Sequence, residues 1–359
     1  MEHLPLEMNG NYTVREVFEI LVHAASRGDS IEQTARLLSE APSSNDIRYH
    51  LEKLDDIKTL ETQVNAALQS RIPPKIRQGR YRFAIDLHLI PYYGVPSDTE
   101  ATYVYRSQAK AGTTRFFAYA TVYGICRNKR VTLGIHAVPC DETLVATVTY
   151  LLAMLSPLRV RVKRLLLDRG FYAVPVIRWL KALNIPFLMP AVIRGKTGGT
   201  RSLLVGRKSY FTAYTLNSSI YGSVGCRMAV VCGYHKGFKG QHGICYVVYV
   251  LHRLNVGLHQ LHDYYRERFG IETSYRLKNH CRIRTTTKKP ILRFLFVALA
   301  FILVNLWVYL LWYFVSRPRP GGQVVYQNLF PLKTMLEFLA HAVERRFPAI
   351  TAIYLPLPG

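Results

Sequence analysis

Acidic residues are scarce in this sequence. Only 23 Asp and Glu stand against 47 Lys and Arg in 359 residues, which gives a formal net charge of +24 and a pI of about 9.9. An imbalance of this size favours a polyanion as partner, and nucleic acid is the commonest one. An anionic membrane surface is the alternative that charge alone leaves open.

Cysteine and targeting signals are also sparse. The six Cys contain no C-x2-C pair, which supports neither a zinc site nor a disulfide framework and predicts reduced thiols in a cytosolic protein. The N-terminus has no basic stretch followed by an apolar one, so no secretory signal peptide is expected. The GKTGG segment at 195–199 lacks the spacing of a phosphate-binding loop.

Residues 1–75 carry helical patterns. Apolar residues recur at helical spacing over 14–27, a Ser and a Gln three residues later open a second helix over 30–39, and a third is predicted around 47–54. Helix, short turn and helix are typical of a DNA-reading helix-turn-helix, but a structural three-helix cap would have the same pattern. A basic, Pro-containing linker at 71–80 closes this predicted domain.

From residue 81 the pattern changes to strands. The segments 81–90, 115–126 and 130–138 are rich in aromatic and β-branched residues and predict an antiparallel meander. A helix follows, with Asp141 as its expected N-cap, and then a strand over 160–168 that would lie parallel to the first strand. A further helix near 174–183 and a short strand at 185–190 complete the series.

Three carboxylates stand out against this background. Asp86 follows the strand-like YRFAI, and Asp168 follows the strand-like RLLL. Glu272 lies in YYRERFGIETSYRLK, four residues after Arg268 and seven after Tyr265, offsets that place side chains on one helical face. A surface helix with ordinary ion pairs would show the same offsets. Carboxylates brought together by two strands and a helix would suit two-metal phosphoryl transfer.

At these residues the sequence resembles the DDE transposases of bacterial and archaeal insertion sequences. Their subgroup signature is Y-x2-R-x3-E-x6-K, which Tyr265, Arg268 and Glu272 match, whereas Lys278 comes one residue early and Asn279 takes the expected place. The resemblance covers roughly 81–289. It implies an α/β fold with a ribonuclease H-like mixed sheet flanked by helices, whose core spans 81–190 and 257–317.

The resemblance also implies the chemistry. Asp86, Asp168 and Glu272 would be catalytic and would bind two Mg²⁺ ions, with Mn²⁺ expected to substitute. Tyr265, Arg268 and Lys278 would contact DNA. The implied partners are double-stranded DNA, as element ends and as target, and a second copy in a homodimer on paired ends. No membrane partner is expected, and the implied location is the prokaryotic cytoplasm at the nucleoid.

Two further segments are less defined. Residues 191–256 form a predicted β-rich insertion before the Glu272 helix, either lining a DNA groove with basic turns and Tyr or only extending the core sheet. Residues 294–315 are apolar except for Asn305, long enough to span a membrane, although their place after Glu272 favours a buried helix. The tail, 318–359, holds a predicted helix at 332–345 and no assignable role.

The sequence thus predicts an insertion-sequence transposase, an endonuclease that also joins DNA. A ribonuclease H-like nuclease or resolvase without strand transfer would share the same core. A basic membrane-associated protein anchored by 294–315 is the alternative from another class.

Overall fold

The computed structural model describes residues 6–72, 79–126, 129–237, 242–320 and 322–352. The chain divides into two compact units. The first comprises the described residues of 1–73, 90–117 and 273–359, and the second those of 74–89 and 118–272. Parts of the predicted linker at 71–80, of the segment joining the predicted strands 115–126 and 130–138, and of the predicted β-rich insertion lie outside the described residues.

The helices and strands are numbered in chain order. The helices are α1 (Val14–Arg27), α2 (Ile31–Leu37), α3 (Ser44–Glu52), α4 (Ile57–Ser70), α5 (Asp98–Ala101), α6 (Leu144–Ala153), α7 (Val174–Ala182), α8 (Leu258–Arg266), α9 (Phe269–His280), α10 (Pro290–Phe314) and α11 (Leu332–Glu344). The strands are β1 (Arg80–Pro91), β2 (Val104–Lys110), β3 (Thr113–Cys126), β4 (Lys129–Ala137), β5 (Arg161–Leu167), β6 (Phe187–Pro190), β7 (Tyr210–Ser218), β8 (Gly222–Lys236), β9 (His242–His252), β10 (Ser316–Arg319) and β11 (Gly322–Val325).

Side-chain caps define the N-terminal helices. Thr13 and Glu16 form a capping box at the start of α1, while Ser30 and Ser43 accept backbone N–H bonds at the starts of α2 and α3. Helix α4 was not among the predicted helices, although Asp56 caps it and Leu60, Val64 and Leu68 repeat at helical spacing along it.

The apolar helix α10 forms the centre of the first unit. Helices α4, α1 and α11 pack on it, and 78% of an apolar 18-residue stretch of α10 is buried inside the structure. Asn305, its one polar interruption, donates through Nδ2 to the carbonyl of Leu68 over 3.3 Å. By length and composition α10 could also cross a membrane. Its burial is that of a core helix that is hydrophobic all round, the alternative that the sequence favoured.

The tail contributes to this same unit. Helix α11 packs along α1, and Arg27 of α1 forms ion pairs with Glu337 at 2.8 Å and Glu344 at 2.7 Å. Strands β10 and β11, which were not predicted, form an antiparallel hairpin between α10 and α11. The tail therefore stabilises the N-terminal helices, a role that the sequence pattern did not indicate.

The second unit is built on a mixed sheet. β4 pairs with β3, and from β3 the order continues as β1, β5 and β6, with β1, β5 and β6 mutually parallel. This is the predicted ribonuclease H-like order, which is confirmed. Two details differ: Thr143 caps α6 in place of Asp141, and the first unit holds α5 and a strand β2 that pairs with the beginning of β3.

The β-rich insertion extends this sheet. β9 pairs antiparallel with β6, and β8 and β7 continue the sheet outward from β9. Tyr221 and Tyr234 are exposed there. The insertion is thus a continuation of the core sheet. That it contacts DNA stays a prediction, as do the functional boundaries of the predicted domains.

Candidate active site

Asp86 and Asp168 lie at corresponding positions on neighbouring strands. Ile85 of β1 and Leu167 of β5 are register partners in a parallel pair, so the two aspartates follow directly after them. The three residues before each aspartate, 83–85 and 165–167, are fully buried, as expected for central parallel strands. The side chain of Asp86 remains buried, and that of Asp168 is partly exposed.

Glu272 reaches the site from the first turn of α9. The prediction that it shares one continuous helix with Arg268 and Tyr265 is wrong, because α8 ends at Arg266 and α9 begins at Phe269. The intervening turn is held by i→i+3 bonds, from the N–H of Arg268 to the carbonyl of Tyr265 over 2.9 Å and from Ile271 N–H to Arg268 over 2.8 Å. The turn keeps all three side chains together even though it interrupts the helix.

Arg268 lies at the centre of the carboxylates. Its Nη1 donates to Oδ2 of Asp86 over 3.2 Å, and its Nη2 donates to Oε1 of Glu272 over 3.0 Å. The same Nη2 lies 3.5 Å from Oδ1 of Asp168. One guanidinium thus joins carboxylates from β1, from the end of β5 and from α9. The sequence predicted the carboxylate cluster but placed Arg268 beside it, as a DNA contact.

The charges of this cluster shift one another. Burial, helped by the negative charges of Asp168 and Glu272, raises the pKa of Asp86 to about 7 against the opposing effect of Arg268. For Arg268, burial lowers the pKa, but Tyr265 and the three carboxylates more than offset that effect and raise it. The guanidinium is therefore a permanent cation that stabilises carboxylates crowded into a partly buried space.

The donor set suits a divalent metal ion. In the part of the chain that the structure describes, no three His, Cys, Asp or Glu side chains are spaced to hold a metal ion as they stand. The guanidinium of Arg268 takes the position of a cation between Asp86, Asp168 and Glu272. Carboxylate oxygens are the ligands that Mg²⁺ prefers, and these three already converge on one positive group. The residues therefore fit Mg²⁺ once the guanidinium of Arg268 moves away from the three carboxylates.

A family model described as a transposase DDE domain matches residues 77–306, which include all three carboxylates. The chain belongs to the DDE transposase family. It is accordingly a metal-dependent DNA transposase, as the sequence predicted. No curated protein sequence matches it significantly.

The fold of the transposase is similar to a solved relative. The cryo-EM structure of the piggyBac transposase synaptic complex with hairpin DNA aligns with a TM-score of 0.55 at 12% identity, covering 94% of this chain and 74% of that one. At that identity the similarity concerns the fold alone. It agrees with the ribonuclease H-like order of the sheet.

Tyr265, which matches the signature, and Lys278, which lies one residue before the signature position, have different environments. The ring of Tyr265 is buried, 5.4 Å from the guanidinium carbon of Arg268, so the tyrosine supports that arginine by a cation–π contact. Lys278 is only 1% exposed, and its ammonium lies 5.9 Å from the ring centroid of Phe301. Burial lowers the pKa of Lys278 to about 8, with a contribution from Arg282. On the same helix, Arg276 and Asn279 are exposed.

Sequence reasoning missed a second charged cluster in the transposase. Glu267, the residue before Arg268, accepts hydrogen bonds from Arg82 on β1 and Arg164 on β5. A signal was present, because an arginine lies four positions before each of Asp86 and Asp168. Two equal spacings in strands that were predicted to be neighbours should have placed these arginines side by side.

Proposed function

We propose that the transposase belongs to an insertion sequence, cuts the ends of that element, and joins them to target DNA by two-metal phosphoryl transfer. The observation that carries the proposal is the convergence of Asp86, Asp168 and Glu272 on the guanidinium of Arg268. Carboxylates from three elements of one unit surround a single cation. A site that binds metal ions next to a phosphate needs such a group of carboxylates at one point.

In this proposal Asp86, Asp168 and Glu272 hold two Mg²⁺ ions, with Mn²⁺ able to substitute. When bound, the ions activate the attacking water or 3′-hydroxyl and stabilise the leaving oxygen. Arg268 leaves the carboxylates and turns its forked guanidinium to phosphate oxygens, which it can bridge in a bidentate manner. Tyr265 keeps that arginine close to the reacting strand through its ring.

The DNA substrate follows from charge and from the fold. A net charge of +24 supplies the attraction to phosphate, and the similar piggyBac structure is a synaptic complex with DNA. We propose that a homodimer holds the paired ends, that the helix-turn-helix of α2 and α3 reads their sequence, and that the enzyme works in the prokaryotic cytoplasm at the nucleoid. Lys278 is buried in this state and would have to become exposed to reach DNA.

A nicking assay on the element's own flanking DNA tests the proposal. We expect strand cleavage at the element ends with Mg²⁺ or Mn²⁺, and none after chelation by EDTA. Asp86→Asn should abolish the cleavage while DNA binding persists. Nicking that continues in EDTA would remove the metal-dependent mechanism.

Supplying pre-cleaved ends together with target plasmid separates transposition from simple hydrolysis. A transposase joins the free 3′-hydroxyl to target DNA, and the joined product is seen as a slower band on a denaturing gel. A ribonuclease H-like nuclease with the same carboxylates would nick the first substrate but leave the second unjoined. With that outcome the protein would be assigned as a hydrolytic nuclease that does not carry out strand transfer.

A further inference from the structure

A pair of arginines stands side by side in the sheet behind the carboxylates. Arg82 of β1 and Arg164 of β5 are register partners, and each lies four residues before an aspartate of the site. An even spacing in a strand keeps both residues on one face of the sheet, so arginines and aspartates share that face. Like charges directly opposite each other destabilise a strand pair, and this pair therefore needs a counter-charge.

Glu267 supplies that counter-charge. Its Oε1 accepts from Nη1 of Arg82 over 2.6 Å, and its Oε2 accepts from Nη2 of Arg164 over 2.9 Å. The guanidinium carbon of Arg164 also lies 3.9 Å from the ring centroid of Tyr264, on the last turn of α8. Both are hydrogen bonds between ions, which are the stronger kind. Arg164 is buried, whereas the side chains of Arg82 and Glu267 are partly exposed, so the bond to Arg164 is the better shielded from water.

The two charged clusters are held by consecutive residues. In the turn between α8 and α9, Glu267 binds the arginine pair and Arg268 binds the carboxylates. The two attachment points are about 13 Å apart along the strands, four residues at roughly 3.3 Å each. Attachment at two separated points fixes the direction in which α9 leaves the turn, and with it the position of Glu272.

We propose that Glu267 is a positioning residue: clamped by Arg82 and Arg164, it sets the α8–α9 turn so that Glu272 and Arg268 meet Asp86 and Asp168. The inference rests on the proposed function, because it assigns a role within that same site. The hydrogen bonds of Glu267 are to Arg82 and Arg164, the clamp behind the three carboxylates. It acts through geometry, and a displacement of about 1 Å at a catalytic group can cost on the order of 100-fold in rate.

The test is Glu267→Gln, which keeps the volume and removes the charge. We expect nicking kcat to fall at least about 10-fold and the Mg²⁺ concentration for half-maximal nicking to rise by a similar factor, with KM for DNA nearly unchanged. Calorimetry with Ca²⁺ on the whole protein should show weaker binding by about the same factor, which is a readout independent of turnover.

Two further variants separate positioning from stability. Val176→Ala removes buried volume from α7 and serves as the destabilised control, because Val176 is buried outside both clusters. It should lower Tm without changing the Mg²⁺ or Ca²⁺ dependence. The double variant Arg164→Glu with Glu267→Arg keeps two positive charges and one negative charge in the clamp. Its nicking activity and its cation affinity should each be at least about 10-fold higher than those of the single variant Arg164→Glu.

The outcomes distinguish this inference from the proposed function. The positioning role is overturned if Glu267→Gln keeps the Mg²⁺ and Ca²⁺ dependence of the native protein. It is also overturned if Val176→Ala, at the same loss of Tm, changes the Mg²⁺ and Ca²⁺ dependence as much as Glu267→Gln does. If the native protein does not nick DNA at all, the proposed function fails. The Ca²⁺ measurement then still shows whether Glu267 organises the three carboxylates.

Discussion

Arg268 and Asp86 form an ion pair of 3.2 Å between two largely buried side chains. Removing one partner of a buried pair usually costs about 3–5 kcal/mol, because the other charge is left uncompensated. The same arginine also binds Asp168 and Glu272, so the protein supplies its own cation where we propose that the metal ions bind. In that proposal a metal ion has to compete with Arg268, and this competition can be measured.

The first prediction concerns that competition. Arg268→Lys should leave the chain folded but lower end-specific nicking by at least about 100-fold, because an ammonium cannot make forked contacts to phosphate. Its metal-free Tm should fall, and Mg²⁺ should raise its Tm more than it raises that of the native protein. Differential scanning fluorimetry in EDTA and in Mg²⁺ measures both effects.

A matched substitution controls for the change of arginine to lysine. Arg178 donates to the carbonyls of Tyr221 and Ser223, outside the carboxylate cluster, and Arg178→Lys should keep native nicking and the native Mg²⁺ response. If Arg268→Lys behaves like this control, Arg268 serves only as an ion-pair partner of the carboxylates and has no role toward phosphate.

The second prediction concerns the carboxylates. Asp86→Asn, Asp168→Asn and Glu272→Gln should each reduce nicking by at least about 1,000-fold, and a double variant should be no worse than a single one, because the three act as one unit. DNA binding should persist in a gel-shift assay. Asp263→Asn, an exposed change on α8, is the control and should be fully active. Metal-dependent nicking by Glu272→Gln would exclude the three-carboxylate site.

The sequence predicted the members of this site better than their contacts. Asp86 and Asp168 could be placed side by side because each ends an apolar, strand-like run, and parallel strands bring such ends together. The contact of Arg268 with all three carboxylates could not be predicted, since it depends on a turn between α8 and α9. A helical offset of four pairs Arg268 with Glu272 alone.

The fold shows a similar limit. Hydrophobic patterning predicted the core strands, because even the shortest of them, β6 with four residues, is apolar and fully buried. The short hairpin of β10 and β11 has only four residues in each strand and no apolar alternation, so nothing in its pattern distinguishes it from a loop. The packing of α11 on α1 joins residues more than 300 positions apart, a contact that no local pattern carries.

The third prediction concerns Lys278. Because burial lowers its pKa to about 8, the folded state disfavours its charge. Lys278→Met should therefore stabilise the protein by about 2–3 kcal/mol at pH 7. The gain is full below pH 8, falls as the pH rises, and vanishes only above the ordinary lysine value of 10.5, where both states are neutral. Chemical unfolding at pH 7 and pH 10 measures it.

Arg276 is the exposed counterpart on the same helix. If Lys278 has no DNA role, Lys278→Met should keep native DNA affinity, whereas Arg276→Ala should weaken it and reduce the salt slope by about 1. If Lys278→Met is stabilised and still binds DNA but no longer nicks it, Lys278 fills the role of the lysine in the signature.

The fourth prediction concerns the contact between α1 and α11. Burial alone would raise the pKa of Glu344, but hydrogen bonds from Arg27, His23 and His341 lower it to about 2. A depressed carboxyl pKa stabilises the fold above the ordinary value of 4.5 and loses that effect as the pH falls towards 2. We expect a loss of about 1–2 kcal/mol over that range, since solvent screens part of the interaction.

Glu344→Gln should remove this acid sensitivity and lower stability at pH 7. Unfolding followed by the fluorescence of Trp307 and Trp312, both in α10, reports on the unit that contains α1 and α11. Glu52→Gln is the matched control, because Glu52 pairs with Lys289 at the surface. If Glu344→Gln and Glu52→Gln lose the same stability in acid, Glu344 contributes no more to the acid sensitivity than a surface glutamate does.

The last prediction concerns reading of the element ends by α3. Deleting residues 1–75 would strip α1 and α4 from the apolar α10, so point substitutions are the sharper test. Asn45 and Tyr49 are exposed one turn apart on α3, and the Tyr49 ring lies 4.7 Å from the ammonium of Lys53. Asn45→Ala combined with Tyr49→Ala should weaken binding to the element ends at least about 10-fold, because each good base contact contributes roughly 1–3 kcal/mol.

Affinity for unrelated duplex and its salt dependence should stay nearly native in that double variant, since phosphate contacts made elsewhere supply both. Lys58→Ala, an exposed change on α4, is the control for a lost surface side chain and should show the reverse pattern, a small loss on both DNAs. If the α3 variant loses both affinities equally, α2 and α3 do not read sequence. The N-terminal helices are then a cap over α10, and end recognition must come from the catalytic unit.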